Sequence, residues 1–278
     1  DYRSEFGRIS ASLQMAETFQ DWCSLYRKIT SWEIELESST DQSIKEILLY
    51  QKTEANQAFC KFVRQNYYNW INRRSDDTPV MSHTLMRSKI FPVADDHAKT
   101  TLLLIDNFRY DQWRSISSLL RGYYDVAVDD FYCAILPTAT QYARNAVFAG
   151  LMPLSIDRLM PNKWLNDNED GGKNQYEEEF LKRLMTQNGK SWRFSFDKLV
   201  RPEQGRRLVD NIQKVYDADF SVIVYNFLDI LSHARTETDV IRELTEDEAA
   251  FRSLTRSWFE HSDLYTILKL LAERGHTV

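Results

Sequence analysis

Apolar and polar positions along the first quarter of the chain alternate at helical spacing. Ile9, Leu13, Met15, Phe19, Trp22, Leu25 and Ile29 share one broad apolar face and predict a long helix. Ser39, Thr40 and Asp41 offer the N-cap of a second helix, which runs without Pro or Gly as far as Arg73-Arg74. Two long helices joined by a short polar turn predict an antiparallel hairpin over residues 4–74. Residues 75–98 contain Pro79 and Pro92 and show no clear period, which reads as a linker.

From residue 99 the pattern changes. "KTTLLLID" is a short apolar run ending in Asp106, the pattern of a buried parallel strand. A helix follows over 112–124, one or two strands over 125–136, and a helix over 140–150 closed by Gly150. The polar loop 166–175 leads to a helix over 176–189 and a strand over 191–196. A helix over 201–217 precedes a second buried strand, "FSVIVYNFLD", ending in Asp229. Leu264, Ile267, Leu268, Leu271 and Ala272 recur at helical spacing, and Gly275 suits the position that stops a helix. Strands alternating with helices predict an α/β sandwich around a mostly parallel sheet over 99–278, preceded by an all-α connector and linker over 1–98.

Composition narrows the classes. With 43% hydrophobic residues in 278, the chain can bury a sizeable core. A net charge of −6 argues against general affinity for a nucleic-acid backbone. No apolar run reaches membrane-spanning length, nothing resembles a signal peptide, and Cys23, Cys60 and Cys133 show neither a disulfide framework nor metal spacing. A cytoplasmic setting is the simplest expectation. The chain begins at Asp1, and His276-Thr277-Val278 reads as the first step of a further strand, so the natural protein is expected to continue.

In a parallel sheet, ligands gather at the carboxyl ends of the strands. Asp106 stands at one such end, and Asp229 follows another. His233 lies four residues after Asp229; if that segment turns helically, the two share a face and can chelate one ion. A strand-end Asp is also a common turn or cap residue. Pro137 lacks the N–H that a strand ladder needs, and Thr140 opens the helix "TQYARNAVFAG", where unpaired N–H groups favour an anion. Its hydroxyl is either a helix cap or a nucleophile activated by metal.

"LLLIDNFRYDQW", "ILPTATQYARNAVFAGLMP" and "VYNFLDILSHAR", in that order, resemble the PglZ domain of the alkaline phosphatase superfamily. With the helical stretch in front, the arrangement is similar to PglZ-bearing response regulators of type IX secretion systems. The resemblance implies an alkaline-phosphatase-like fold and a site for two zinc ions. In it Asp106 and Thr140 match the ligands of one metal, Asp229 and His233 match ligands of the other, and Thr140 matches the nucleophile. The family's remaining ligands fall on a later strand, so this chain by itself is expected to bind zinc weakly and to be inactive. The full-length protein is expected to be a zinc-dependent phosphodiesterase or phosphatase with a phosphorylated small-molecule or nucleotide substrate. Arg109 and Arg144 are candidates for pairing with substrate phosphate, with structural ion pairs as the alternative. A receiver domain ahead of residue 1, a homodimer, and a sigma factor or secretion-system component as partner complete the expectation. The rival expectation is a protein-binding output module without catalysis.

Weaker candidates read as structural. His83 and His97 read as solvated linker residues and His261 as a cap or turn residue. "KFVRQNYYNWINRR" interleaves bases and aromatics, but core packing by Tyr67, Trp70 and Ile71 accounts for it better than base stacking.

Overall fold

The computed structural model describes residues 2–166 and 168–278; Asp1 and Asp167, the latter within the polar loop expected over 166–175, lie outside the described residues. In chain order the elements begin with α1 (Tyr2–Met15), α2 (Phe19–Glu35), α3 (Gln42–Ile71), α4 (Phe91–Asp96), β1 (Thr100–Ile105) and α5 (Tyr110–Ile116). Then come α6 (Thr140–Ala149), α7 (Pro153–Leu159), α8 (Glu177–Gln187), β2 (Phe194–Leu199), α9 (Pro202–Asp210) and α10 (Gln213–Asp217). The last are β3 (Phe220–Tyr225), α11 (Phe227–Glu237), α12 (Asp239–Leu244), α13 (Glu248–Glu260) and α14 (Asp263–Glu273). Among the described residues no helix is long and apolar enough to cross a membrane.

The chain divides into two compact units, and the first is discontinuous. It comprises the chain up to Pro79 together with Arg109–Ser115 and Leu244–Leu254. The single long helix expected first is in fact two. Thr18 accepts from the Asp21 amide while the Asp21 carboxylate accepts from the Thr18 amide, and this reciprocal capping box starts α2 afresh. Met15 is left 75% exposed beside the break. Asp41 caps α3 by accepting from the Ser43 and Ile44 amides. Phe6, Ile9, Trp22, Leu25, Ile29, Leu36 and Leu48 form the core of these helices.

A buried charge network lies in the same unit. The Arg252 guanidinium, 5% exposed, reaches Asp111 at 2.9 Å, Glu33 at 3.3 Å and Glu37. Arg109 clasps Asp111 in bidentate fashion, Nε at 3.0 Å and Nη2 at 2.8 Å, and also pairs with Glu248. Burial alone pushes the Asp111 carboxyl up, but hydrogen bonds from Arg109 and Arg252 and their charges outweigh it and hold it below its ordinary value. Six charged side chains thereby tie together three separate stretches of chain.

The second unit comprises Val80–Phe108, Ile116–Glu243 and Thr255–Val278. Its sheet is parallel with order β1-β3-β2, in the register Thr100↔Phe220↔Phe194 through Ile105↔Tyr225↔Leu199. All six residues of β3 are buried, as a central parallel strand requires. Phe148, Phe180, Leu181, Leu184, Val222 and Val224 belong to one core. Thr277 forms a parallel bridge with Thr100, accepting from the Thr101 amide at 2.8 Å, so the expected strand start after Gly275 is present. Gly275 and Gly150 both take positive φ at helix ends; a Cβ on Gly150 would also meet Leu184 Cδ1 at 2.6 Å and Arg87 Nη1 at 2.7 Å.

Five local expectations are corrected. The stretch expected as linker holds a π-helical turn over Met86–Ile90 and α4, and buries Met81, Met86, Phe91 and Ala94. Phe91 meets Phe220 edge to face, and His83 is buried rather than solvated. Over 125–136 no strand forms; a lone bridge joins Cys133 to Met81, and Val126 and Val128 stay exposed. The helix expected over 201–217 is interrupted at Asn211–Ile212 into α9 and α10. Lastly, β3 ends at Tyr225, and Asp229 lies in the first turn of α11 rather than at a strand end.

Removing one charge from the Arg252 network strands its partners in low dielectric. Asp111→Asn is expected to lower stability by about 3–5 kcal/mol at pH 7, read from urea unfolding. Because the Asp111 carboxyl is lowered, its contribution is present above the ordinary value of 3.8 and is lost as pH falls through the lower folded value. The gap between variant and wild type is therefore expected to narrow below pH 3.8.

Candidate functional site

The β1–β3 register sets the site. Ile105 lies opposite Tyr225, and the Asp106 amide donates to the Tyr225 carbonyl at 2.9 Å, so both strands release the chain at the same level. Asp106 follows immediately on one side; Asn226 and then α11 follow on the other. An open cleft of about 360 Å³ lies there, with Asp106, Thr140, Arg144, Lys198, Asn226 and Asp229 among its lining.

Thr140 is the first residue of α6, and Ala139 is the N-cap, with no side-chain cap hydrogen bond. The capping alternative for the Thr140 hydroxyl is thus not what the structure uses. Half-buried Thr140 lines the cleft beside the unpaired first N–H groups of α6. Its carbonyl accepts from the Asn174 amide at 3.1 Å, which ties the loop before α8 to the start of α6. Exposed Thr138 is not among the cleft residues.

Arg144, one turn further along α6 and 6% exposed, is the central cation. Its Nη1 is 2.6 Å from Asp106 Oδ2 and 3.3 Å from Asn226 Oδ1, and its Nε pairs with Glu177. Glu177, 1% exposed, also meets the Lys198 ammonium at 2.9 Å. Burial pushes the Asp106 carboxyl above its ordinary value; the Arg144 charge opposes this, and the charges of Asp229 and Glu177 add to it.

The structure brings Asp106, Thr140, Arg144 and Asp229 to one cleft. His233 does share a helix face with Asp229, as the spacing predicted, with Nε2 3.7 Å from Asp229 Oδ1, but it is 67% exposed and is not among the lining residues. Arg109 belongs to the first unit, where Asp111 and Glu248 engage it. His97 is exposed, with its ring Nδ1 2.9 Å from the Val93 carbonyl; His261, also exposed, has Nδ1 2.8 Å from the Ser257 carbonyl.

Glu177, Lys198, Asn174 and Asn226 are the site residues that periodicity missed. Glu177 opens the run "EEEF", which reads as an acidic helix start facing water. Lys198 lay beyond the expected strand end at residue 196, whereas β2 runs to Leu199. Two carboxylates and a hydroxyl at one cleft, with Asp106 raised by burial and by neighbouring negative charge, are oxygen donors suited to a divalent cation. Among the described residues no group of three or more His, Cys, Asp or Glu side chains converges as a closed metal centre.

Breaking the Glu177 hub tests whether it organises the site. Glu177→Gln is expected to cost about 3–5 kcal/mol, because Arg144 stays buried with half its counter-charge gone. Chemical unfolding of the variant and wild type measures this; a change under about 1 kcal/mol would mean the pairs contribute little.

Comparison with known families completes the description. Residues 1–71 match the PorX response regulator linker domain. Residues 85–278 match the BREX system PglZ alkaline phosphatase-like domain. No individually curated protein matches the chain.

Proposed function

The chain belongs to the PglZ alkaline-phosphatase-like family, and from that membership we propose that its second unit is the phosphohydrolase output of a response regulator. The substrate class is a phosphodiester, with a nucleotide-type ester ahead of a simple phosphomonoester. The observation that carries this reading is the position of Thr140: an uncapped helix start whose hydroxyl is at the cleft shared by Asp106 and Asp229. The linker match over residues 1–71 supports the regulatory context. Control of type IX secretion, a homodimer and a sigma-factor partner belong to the same proposal.

In this reading the Thr140 oxygen gives up its proton and attacks phosphorus, one P–O ester bond breaks and that alcohol leaves with a proton, and water then cleaves the Thr140–phosphorus ester to release the phosphomonoester and restore the hydroxyl. The first N–H groups of α6 and the Arg144 guanidinium stabilise negative charge on the phosphoryl oxygens. Asp106, Thr140, Asp229 and His233 are the side chains that would hold metal, zinc in this proposal, which would supply charge neutralisation and a more acidic hydroxyl. Glu177 keeps Arg144 extended toward Asp106.

Replacing the nucleophile separates chemistry from folding. Thr140→Ala in the natural protein that carries these residues is expected to lower hydrolysis of a chromogenic phosphodiester by about a hundredfold or more. Since the Thr140 side chain makes no capping bond, stability is expected to stay within about 0.5 kcal/mol of wild type. Thr138→Ala is the control and is expected to retain most activity. Wild-type turnover in Thr140→Ala would remove Thr140 from the reaction.

A further inference from the structure

Lys198 lines the cleft from β2 and is held at two points. Its ammonium is 2.9 Å from Glu177 Oε2 and donates to the Asn174 carbonyl at 2.7 Å. An ammonium carries three N–H donors, and the hydrogen bond to Asn174 uses one, so donor capacity remains for a ligand. Arg144 is fixed in the same way: Nε and Nη1 are committed to Glu177, Asp106 and Asn226, and among the described residues its Nη2 donors have no partner.

Both cations converge on one buried carboxylate. Glu177 and Asp106 together balance the charges of Arg144 and Lys198, so what the cleft offers an anion is donors already held in place rather than a net positive charge. At 29% exposed, the Lys198 ammonium is the more accessible of the two cations and is open to the cleft. The anchoring loop is itself braced. The Asn174 amide donates to the Thr140 carbonyl and to Asn145 Oδ1, both at 3.1 Å, so the residue whose carbonyl holds Lys198 also holds the first residue of α6. Donor and helix start are thereby set in one frame before any ligand arrives, which lowers the ordering cost of binding.

We infer that Lys198 is a phosphate-binding residue: its spare N–H, with the Nη2 group of Arg144, receives the non-bridging oxygens of the phosphoryl group presented to Thr140. This rests on the reading of the cleft as a phosphohydrolase site and adds a residue that neither charge pattern nor motif marked. Glu177 acts on the substrate only through the two cations that it holds.

The test combines binding with turnover. Calorimetric titration with inorganic phosphate and hydrolysis of bis(p-nitrophenyl) phosphate are measured on wild type, Thr140→Ala, Lys198→Met and Lys198→Arg, each with its unfolding midpoint as a folding control. Lys198→Met is expected to weaken phosphate binding about tenfold and to raise KM with a smaller change in kcat. Lys198→Arg is expected to recover most of the binding, and Thr140→Ala to bind phosphate while failing to turn over. Phosphate binding by Lys198→Met at wild-type strength, or none by wild type at millimolar phosphate, overturns the inference. Lys198-dependent binding in a wild type that hydrolyses nothing leaves the inference standing and removes the reaction proposed for the cleft.

Discussion

The site depends on the parallel pairing of β1 with β3. Six consecutive pairs lock the two strands with Ile105 opposite Tyr225, so Asp106 and Asn226 emerge side by side. A slip of one residue would turn every β3 side chain to the other face and carry Asp106 away from the start of α11. Burial of all six β3 residues makes such a slip costly. The position of two carboxylates at one cleft thus follows from burial of a strand none of whose residues lines that cleft.

Two buried charge hubs of opposite sign organise the two units. In the first unit a single guanidinium, Arg252, gathers Asp111, Glu33 and Glu37. In the second a single carboxylate, Glu177, gathers Arg144 and Lys198. Each hub is almost wholly withdrawn from water, so each depends on keeping its full set of partners. They differ in what is left over. Around Arg252 the acidic partners fold back on the protein, with Asp111 saturated by two arginines. Around Glu177 the cations keep donors directed to a solvent-open cleft.

Much of the second unit was legible from periodicity, because its strands are continuous apolar runs and its helices carry one apolar stripe. Asp106 stands out because a polar residue ending such a run is conspicuous, and Asp229 with His233 because a spacing of four puts both on one helix face, although only Asp229 of that pair lines the cleft. The capping box that breaks the first helix was written in Thr18 and Asp21, yet the apolar stripe continues across it and hides it. Glu177 and Lys198 were not legible for a different reason. Their meaning lies in partners 33 and 21 residues away, and a charged residue shows no sign in sequence of whether it faces water or another charge. His83 was misread for the same reason: residues 80–96 fold into a core whose other members come from far along the chain.

The first unit is made from three stretches of one chain, and this has a consequence for the order of assembly. A chain synthesised from its N-terminus completes α1 to α3 early, but Glu33 and Glu37 acquire their arginine only when residue 252 has been added. Between those events the chain lays down Asp106, Thr140 and Asp229. The helical unit therefore reaches its final electrostatic balance only after most of the second unit exists. Folding of the two is interleaved in time, even though each has its own core.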